Sequence, residues 1–248
     1  MKHVHFFGCS ITAGDELSDY NRFPWKNENT PIEEYYSKRN EILNFHGQYD
    51  DSYVQENKMM AYPAQIEKIT DGIKCHNHAG NGAGLGEMIY RLLKLIYTAE
   101  QPIDYVFFQL PPPDREIIYN DTGVSSLQLS SFPGTPGNTN QSSYIKYKIL
   151  STKSFATTVA DLSNLILLKE TLTARKIPHS FLDMIGRLKS LAPRSILQDY
   201  PEYCWLLDHG IELDNPFFHV QKDYTLGQHY TLETHIRLAE YLKNKYRL

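Results

Sequence analysis

The chain has 248 residues, 41% of them hydrophobic, enough to bury a sizeable core in one large α/β domain. Its 25 Lys and Arg against 29 Asp and Glu give a formal charge of -4 with no long basic run, which argues against nucleic acid as a partner. No stretch approaches membrane-spanning length, and the first apolar run is too short for a signal-peptide core, so the expectation is a soluble, cytoplasmic protein with no membrane partner. Cys9, Cys75 and Cys204 have no Cys-x-x-Cys spacing and read as free thiols.

Residues His3 to Phe7 have the β-branched and aromatic bias of a strand, and Gly8 ends it at a sharp turn. Ser10 therefore stands just beyond a strand end, where outward-pointing backbone N–H groups can stabilise negative charge if a helix follows. Taken locally, Ser10 and Thr12 read as turn or N-cap residues. His3 and His5 alternate along the strand without carboxylate or cysteine company, so they read as packing residues rather than metal ligands. Residues 15–61 are polar, aromatic and weakly periodic, an excursion from the core that forms either a site wall or a surface loop.

Residues 62–70 have the apolar spacing of a short helix, which Asp71-Gly72 ends before the strand-like Ile73 to His76. The glycine-rich run Asn77 to Gly84 then leads into a helix marked by Met88, Leu92, Leu95 and Ile96. Such a turn can serve a dinucleotide phosphate or an oxyanion, and the dinucleotide fingerprint spacing is absent. Asp104 to Leu110 is the most apolar run, as expected of a strand buried on both faces of a parallel sheet. Pro111-Pro112-Pro113 stops it and delivers Asp114 and Arg115 near the strand end. Residues 120–143 read as a long loop, Phe155 to Leu172 as a helix and His179 to Met184 as a strand. Residues 185–228 are irregular, with a candidate helix over 194–200, and Leu232, Ile236, Ala239 and Leu242 mark a terminal helix capped by Thr231.

Gly8-Cys9-Ser10-Ile11-Thr12-Ala13-Gly14, then Asn77-His78-Ala79-Gly80-Asn81-Gly82, then His229 before the last helix come in an order that resembles the SGNH/GDSL hydrolase superfamily. The resemblance implies a flavodoxin-like, three-layer α/β/α sandwich with a central parallel sheet of about five strands, one domain over residues 1–248. It also implies Ser10 as nucleophile, the backbone N–H groups of Ser10 and Gly82 as oxyanion donors, and His229 as base, with His235 matching a second family histidine. The chain departs from the family at three places. Cys9 replaces an aspartate. The third motif, which should supply an oxyanion asparagine, aligns with Pro111-Pro112-Pro113-Asp114, leaving Arg115 or the Asn81 side chain as substitutes. Leu226 stands where the acid that orients the histidine belongs, and Asp223 is the nearest carboxylate.

These residues suit acyl-ester chemistry, because a serine hydroxyl needs a base within hydrogen-bond reach and donors for the oxyanion that develops. The expected function is hydrolysis of a small acyl ester, an O-acetyl group on a carbohydrate or similar polar alcohol, with Arg115 as a substrate contact and no cofactor or metal. The alternatives are an O-acyltransferase using the same serine, and a binding or assembly protein that keeps the fold without the activity.

Overall fold

In a computed structural model of the chain, the structure describes residues 1–19, 30–42, 51–80, 83–111, 115–120, 123–128, 155–184, 212–225 and 229–248. The backbone falls into two compact units, Met1–Asn81 with Pro216–Leu248, and Gly82–Asn215.

The first unit begins with β1 (Lys2–Phe7), which runs parallel to β2 (Ile73–Asn77) with Val4 opposite Cys75 and Phe6 opposite Asn77. β1 leads through Gly8 and Cys9 into the single-turn helix α1 (Ser10–Ala13). Two helices, α2 (Ile32–Ile42) and α3 (Asp51–Met60), occupy much of the stretch that reads as an irregular excursion. Their periodicity is weak in sequence because the side chains they bury are polar or amphipathic: Tyr35 and Arg39 from α2, Tyr53 and Asn57 from α3. Trp25 and Tyr49 lie outside the described residues. Helix α4 (Tyr62–Ile69) starts with proline in its first turn, where the missing N–H costs nothing, and packs on β2. Phe6 meets the Tyr62 ring edge-on at 5.7 Å, so the inner face of β1 is covered by aromatic surface. Each such fully buried ring or branched side chain contributes roughly 1.5–3 kcal/mol.

The second unit holds α5 (Leu85–Thr98), β3 (Tyr105–Gln109), α6 (Phe155–Ala174), β6 (His179–Leu182) and the short β7 (Leu213–Asp214). Val106, Phe107 and Phe108 are wholly buried, as the apolar run predicts for a central strand. β3 pairs parallel with β6, and β6 with β7. The segment after β3 differs from the loop read in sequence. β4 (Arg115–Asn120) and β5 (Gly123–Gln128) form an antiparallel hairpin with Asn120 opposite Gly123, so backbone pairing takes up residues whose composition suggested irregular chain. Residues 129–143 and the candidate helix at 194–200 are outside the described residues.

The central sheet has five strands in the order β2-β1-β3-β6-β7, and with its flanking helices it makes the three-layer α/β/α fold. Counted along the chain within that sheet, the order is the doubly wound, flavodoxin-like one, in which ligands bind beyond the carboxyl ends of the strands. Ser10 follows the carboxyl end of β1. The terminal helix α7 (Leu232–Tyr246) packs on α4, and the Thr231 hydroxyl caps it by accepting from the Thr234 N–H. Among the described residues no helix is long and apolar enough to cross a membrane.

Gly14 closes α1 in a left-handed conformation, φ 77°, and a Cβ there would stand 2.7 Å from both the Ala61 Cβ and the Asn57 carbonyl oxygen. Gly14→Ala therefore combines backbone strain with a clash against main chain, and should cost about 2–4 kcal/mol in a urea unfolding titration.

Candidate active site

Ser10 opens α1, preceded by Cys9 in an extended conformation, and its side chain is nearly buried. The turn is fixed from several directions. Thr12 Oγ1 meets the Tyr62 hydroxyl at 3.0 Å, the Asn77 amide donates to the Thr12 carbonyl at 2.7 Å, and the Gly80 N–H donates to the Gly8 carbonyl at 3.2 Å. The chain after β2 is thus carried alongside the end of β1. Asn81 and Gly82, the next two residues, lie outside the described set.

Beyond Gly14 the chain turns sharply. The Asp15 N–H donates to the Ser10 carbonyl at 2.9 Å, and Glu16 takes a left-handed backbone conformation, φ 69°. For a glutamate this conformation costs about 1–2 kcal/mol. It accompanies the complete burial of the Glu16 side chain.

His229 comes from the loop before α7. That loop is drawn together by a bridge between Tyr224 and Tyr230, by the Thr225 N–H donating to the His229 carbonyl at 2.7 Å, and by the His229 N–H donating to Thr225 Oγ1 at 3.0 Å. The imidazole stands between two carboxylates. His229 Nδ1 is 3.3 Å from Glu16 Oε1, an ion-pair distance whose angle falls outside hydrogen-bond geometry, and His229 Nε2 is 3.8 Å from Asp15 Oδ2. The other Glu16 oxygen accepts from the Thr225 hydroxyl at 2.5 Å. Ser10 and His229 therefore both adjoin Asp15, one through the backbone and one through the carboxylate.

Burial by itself would raise Glu16, but the His229 ring, the Thr225 hydroxyl and the Arg39 charge outweigh it and hold the carboxyl below its ordinary value. Burial would likewise lower His229, and Glu16 and Asp15 outweigh it, so the imidazole holds its proton to higher pH than a free histidine.

Asp15 is itself engaged. Its Oδ1 accepts from the Glu16 N–H at 3.0 Å and from Arg39 Nη2 at 2.9 Å. Arg39 Nε lies 3.0 Å from Asp19 Oδ2, and Arg39 also donates to the Tyr53 hydroxyl, which donates to Asp19 Oδ1 at 2.7 Å. Tyr35 donates to Asp19 as well. Burial, opposed by Arg39 and by these two phenols, leaves Asp19 above its ordinary value. The guanidinium is 2% exposed, so the whole cluster sits out of water.

Several expected site residues take other places. Asp223 does not face His229: its carboxylate lies 2.8 Å from Arg237 Nη1, and its N–H donates to Thr234 Oγ1 at 2.8 Å, which docks the loop on α7. Among the described residues, the carboxylates against His229 are Glu16 and Asp15, only six and five residues after Ser10. Both were missed in sequence, where the available signal was an acidic pair directly after a Gly14 turn. His235 is a core residue. Its Nδ1 accepts the Tyr62 N–H at 3.0 Å, satisfying an orphan donor at the start of α4, and burial pushes it down to about 3. Arg115 begins β4, and its side chain is not among those described.

The β1 histidines pair with His76 of β2 and with His78 just beyond its end. His3 Nδ1 to His76 Nε2 and His5 Nδ1 to His78 Nε2 are each 3.0 Å, with rings close to coplanar and centroids 5.2 Å apart, so the facing nitrogens lie nearly in line. That is the geometry of an N–H···N hydrogen bond rather than of two lone pairs converging on an ion. Among the described residues no group of three or more His, Cys, Asp or Glu is arranged to hold a metal. Cys9 and Cys75 are free thiols, and burial, with Glu67 adding to it, pushes Cys75 up to about 12, too high for a nucleophile at neutral pH. Cys204 lies outside the described residues.

The Glu16–His229 contact makes stability pH-dependent. Glu16, whose folded value is depressed, contributes fully above its ordinary 4.5 and loses that contribution as pH falls through the folded value. His229, whose folded value is raised, contributes fully below its ordinary 6.5 and loses it as pH rises through the folded value. Glu16→Gln should therefore lower stability most between pH 4.5 and 6.5, by about 1–3 kcal/mol, with the difference from wild type shrinking on either side in thermal melts across pH.

No protein-family model matches the chain, and no curated protein matches it in sequence. Solved structures do match it in fold. TesA, at 14% identity, is aligned over 99% of this chain and 98% of its own with a TM-score of 0.51. A lipolytic protein of the G-D-S-L family from Veillonella parvula, at 12% identity, is aligned over 100% and 99% with a TM-score of 0.48. The psychrotrophic esterase EstA from Pseudoalteromonas, solved with monoethylphosphonate, is 12% identical over 100% and 97% with a TM-score of 0.46. The chain thus shares the α/β/α fold of TesA, aligned over 99% of its residues.

Proposed function

We propose that the protein is a serine ester hydrolase in which Ser10 is the nucleophile, His229 the general base and Glu16 the carboxylate that orients His229. The observation that carries this reading is the buried Glu16 carboxylate 3.3 Å from His229 Nδ1, in the turn that Ser10 begins. An acid on one ring nitrogen fixes the tautomer that leaves the other nitrogen for a serine proton. In this reading the acid that the last motif lacks comes from the turn just after the first motif.

In this mechanism Ser10 Oγ attacks the ester carbonyl carbon while His229 Nε2 takes the hydroxyl proton. The Oγ–C bond forms, and the carbonyl oxygen becomes an oxyanion received by the N–H groups of Ser10 and Gly82, with the Asn81 side chain or Arg115 in place of the missing asparagine. Each such donor is worth about 10²–10³ in rate. Collapse breaks the bond to the alcohol, which leaves with the proton from His229 Nε2. Water then attacks the acyl-serine, gives its proton to Nε2, and the acid departs as Ser10 recovers its hydrogen.

The substrate class we propose is a small acyl ester of a polar alcohol, an O-acetylated carbohydrate foremost. The support is the family tendency implied by the motif order; transfer to an alcohol other than water would use the same acyl-serine.

The test is fluorophosphonate labelling with peptide mapping, run beside hydrolysis of a small acetyl ester. Wild type should label at Ser10, Ser10→Ala should not, and His229→Ala should lose labelling. Glu16→Gln should slow both reactions by about 10²–10⁴, the range expected when a base loses its orienting carboxylate. Because His229 must give up its proton to act, and its neighbours raise the pH at which it does so, the rate should climb with pH beyond the range of an ordinary histidine. A folded wild type that takes no label would leave the fold without the activity.

A further inference from the structure

His229 has a carboxylate at each ring nitrogen, yet the reaction proposed above needs one of those nitrogens open. The two contacts differ in a way that resolves this. Asp15 Oδ2 stops 3.8 Å from His229 Nε2, beyond hydrogen-bond reach, while Asp15 Oδ1 is held by Arg39 Nη2 at 2.9 Å and by the Glu16 N–H at 3.0 Å. Arg39 is in turn fixed by Asp19, whose Oδ2 lies 3.0 Å from Arg39 Nε, and by the Tyr53 hydroxyl. We propose that Arg39 is a positioning residue: by clamping the Asp15 carboxylate it keeps Asp15 from capturing His229 Nε2, so that Glu16 alone orients the ring and Nε2 stays free for Ser10. The inference rests on the reading of His229 as the base.

The alternatives at hand do not supply this restraint. Among the described residues, the groups that face His229 are Asp15 and Glu16 from the turn after α1, the Thr225 hydroxyl from its own loop, and His235 from α7, with Arg39 of α2 acting through Asp15. Thr225 is committed to Glu16, and His235 is buried and neutral, so the guanidinium is the positive charge among them that offsets Asp15. Without it, a carboxylate with no compensating charge would lie beside the imidazole, and a short swing of Asp15 would bond Nε2–H and lock the base in its protonated form.

The test is an NMR titration of the His229 ring, assigned from the spectrum of His229→Gln, in wild type, Arg39→Met, Arg39→Gln, Asp15→Asn and Asp15→Asn/Arg39→Met. Arg39→Met should move the His229 titration up by about 1 pH unit or more, a tenfold loss of the free base at a fixed pH below it. Adding Asp15→Asn should abolish that upward shift, an outcome a merely structural arginine would not produce. Arg39→Gln keeps hydrogen-bonding groups and removes the charge, and serves if Arg39→Met does not fold. If both charge-removing variants unfold while Asp15→Asn/Arg39→Met folds, the loss is traced to uncompensated Asp15 and the proposal stands. An unchanged titration in a folded Arg39 variant, a shift that Asp15→Asn leaves in place, or an unfolded double variant would overturn it. The titration needs no turnover: a shifted His229 in a protein that hydrolyses no ester would sink the esterase reading and leave standing only the restraint that Arg39 places on Asp15 beside His229.

Discussion

Three carboxylates, Asp15, Glu16 and Asp19, are buried around one guanidinium, and the rest of the first unit is arranged to make that tolerable. Charges taken out of water cost several kcal/mol each unless paired and hydrogen-bonded. Here Arg39 bridges Asp15 and Asp19, Tyr35 and Tyr53 donate to Asp19, and Thr225 and His229 meet Glu16. Among the described residues, one positive charge against three acids leaves a surplus that the His229 proton offsets in part, and Glu16 and Asp15 pull the imidazole toward its charged form. The same surplus explains why α2 and α3 exist where they do: they deliver Arg39, Tyr35 and Tyr53 to the turn after α1.

The scaffold places this cluster by short-range means. β1 ends at Phe7, α1 makes one turn, and Gly14 reverses the chain at a point where main chain and side chains of α3 and its exit leave no room for a Cβ. Glu16 is then forced into a left-handed conformation, a cost recovered in the pairing its carboxylate makes. Thr225 couples the two ends of the chain, since its hydroxyl reaches Glu16 while its backbone and oxygen hold the His229 loop. A single buried hydroxyl therefore ties Glu16 to the loop that carries His229.

Much of this was legible in the residues. The apolar run at 104–110 marks a central strand because nothing polar interrupts it, and the terminal helix shows its face and its Thr231 cap. Ser10 and His229 were singled out by the order of the motifs they sit in, because taken locally Ser10 reads as a turn or N-cap residue. Glu16 does not, since its partners Thr225 and His229 are more than two hundred residues away along the chain and only the folded chain brings them together. The helices α2 and α3 were unreadable for a different reason: their buried faces carry arginine, tyrosine and asparagine, which in sequence look like a solvated surface. Asp223 was the nearest acid to the histidine in sequence, and the chain turns it to Arg237 because the bridge between Tyr224 and Tyr230 leaves it on the α7 side of the loop.

The most direct test of whether Glu16 and His229 act on Ser10 is a crystal structure of the protein after reaction with a small alkyl phosphonate. The proposed mechanism requires continuous density from Ser10 Oγ to phosphorus, with His229 Nε2 facing the adduct, His229 Nδ1 within hydrogen-bond distance of Glu16, and Asp15 still held by Arg39. Unmodified Ser10, or an adduct on which His229 turns away from both Ser10 and Glu16, would contradict it.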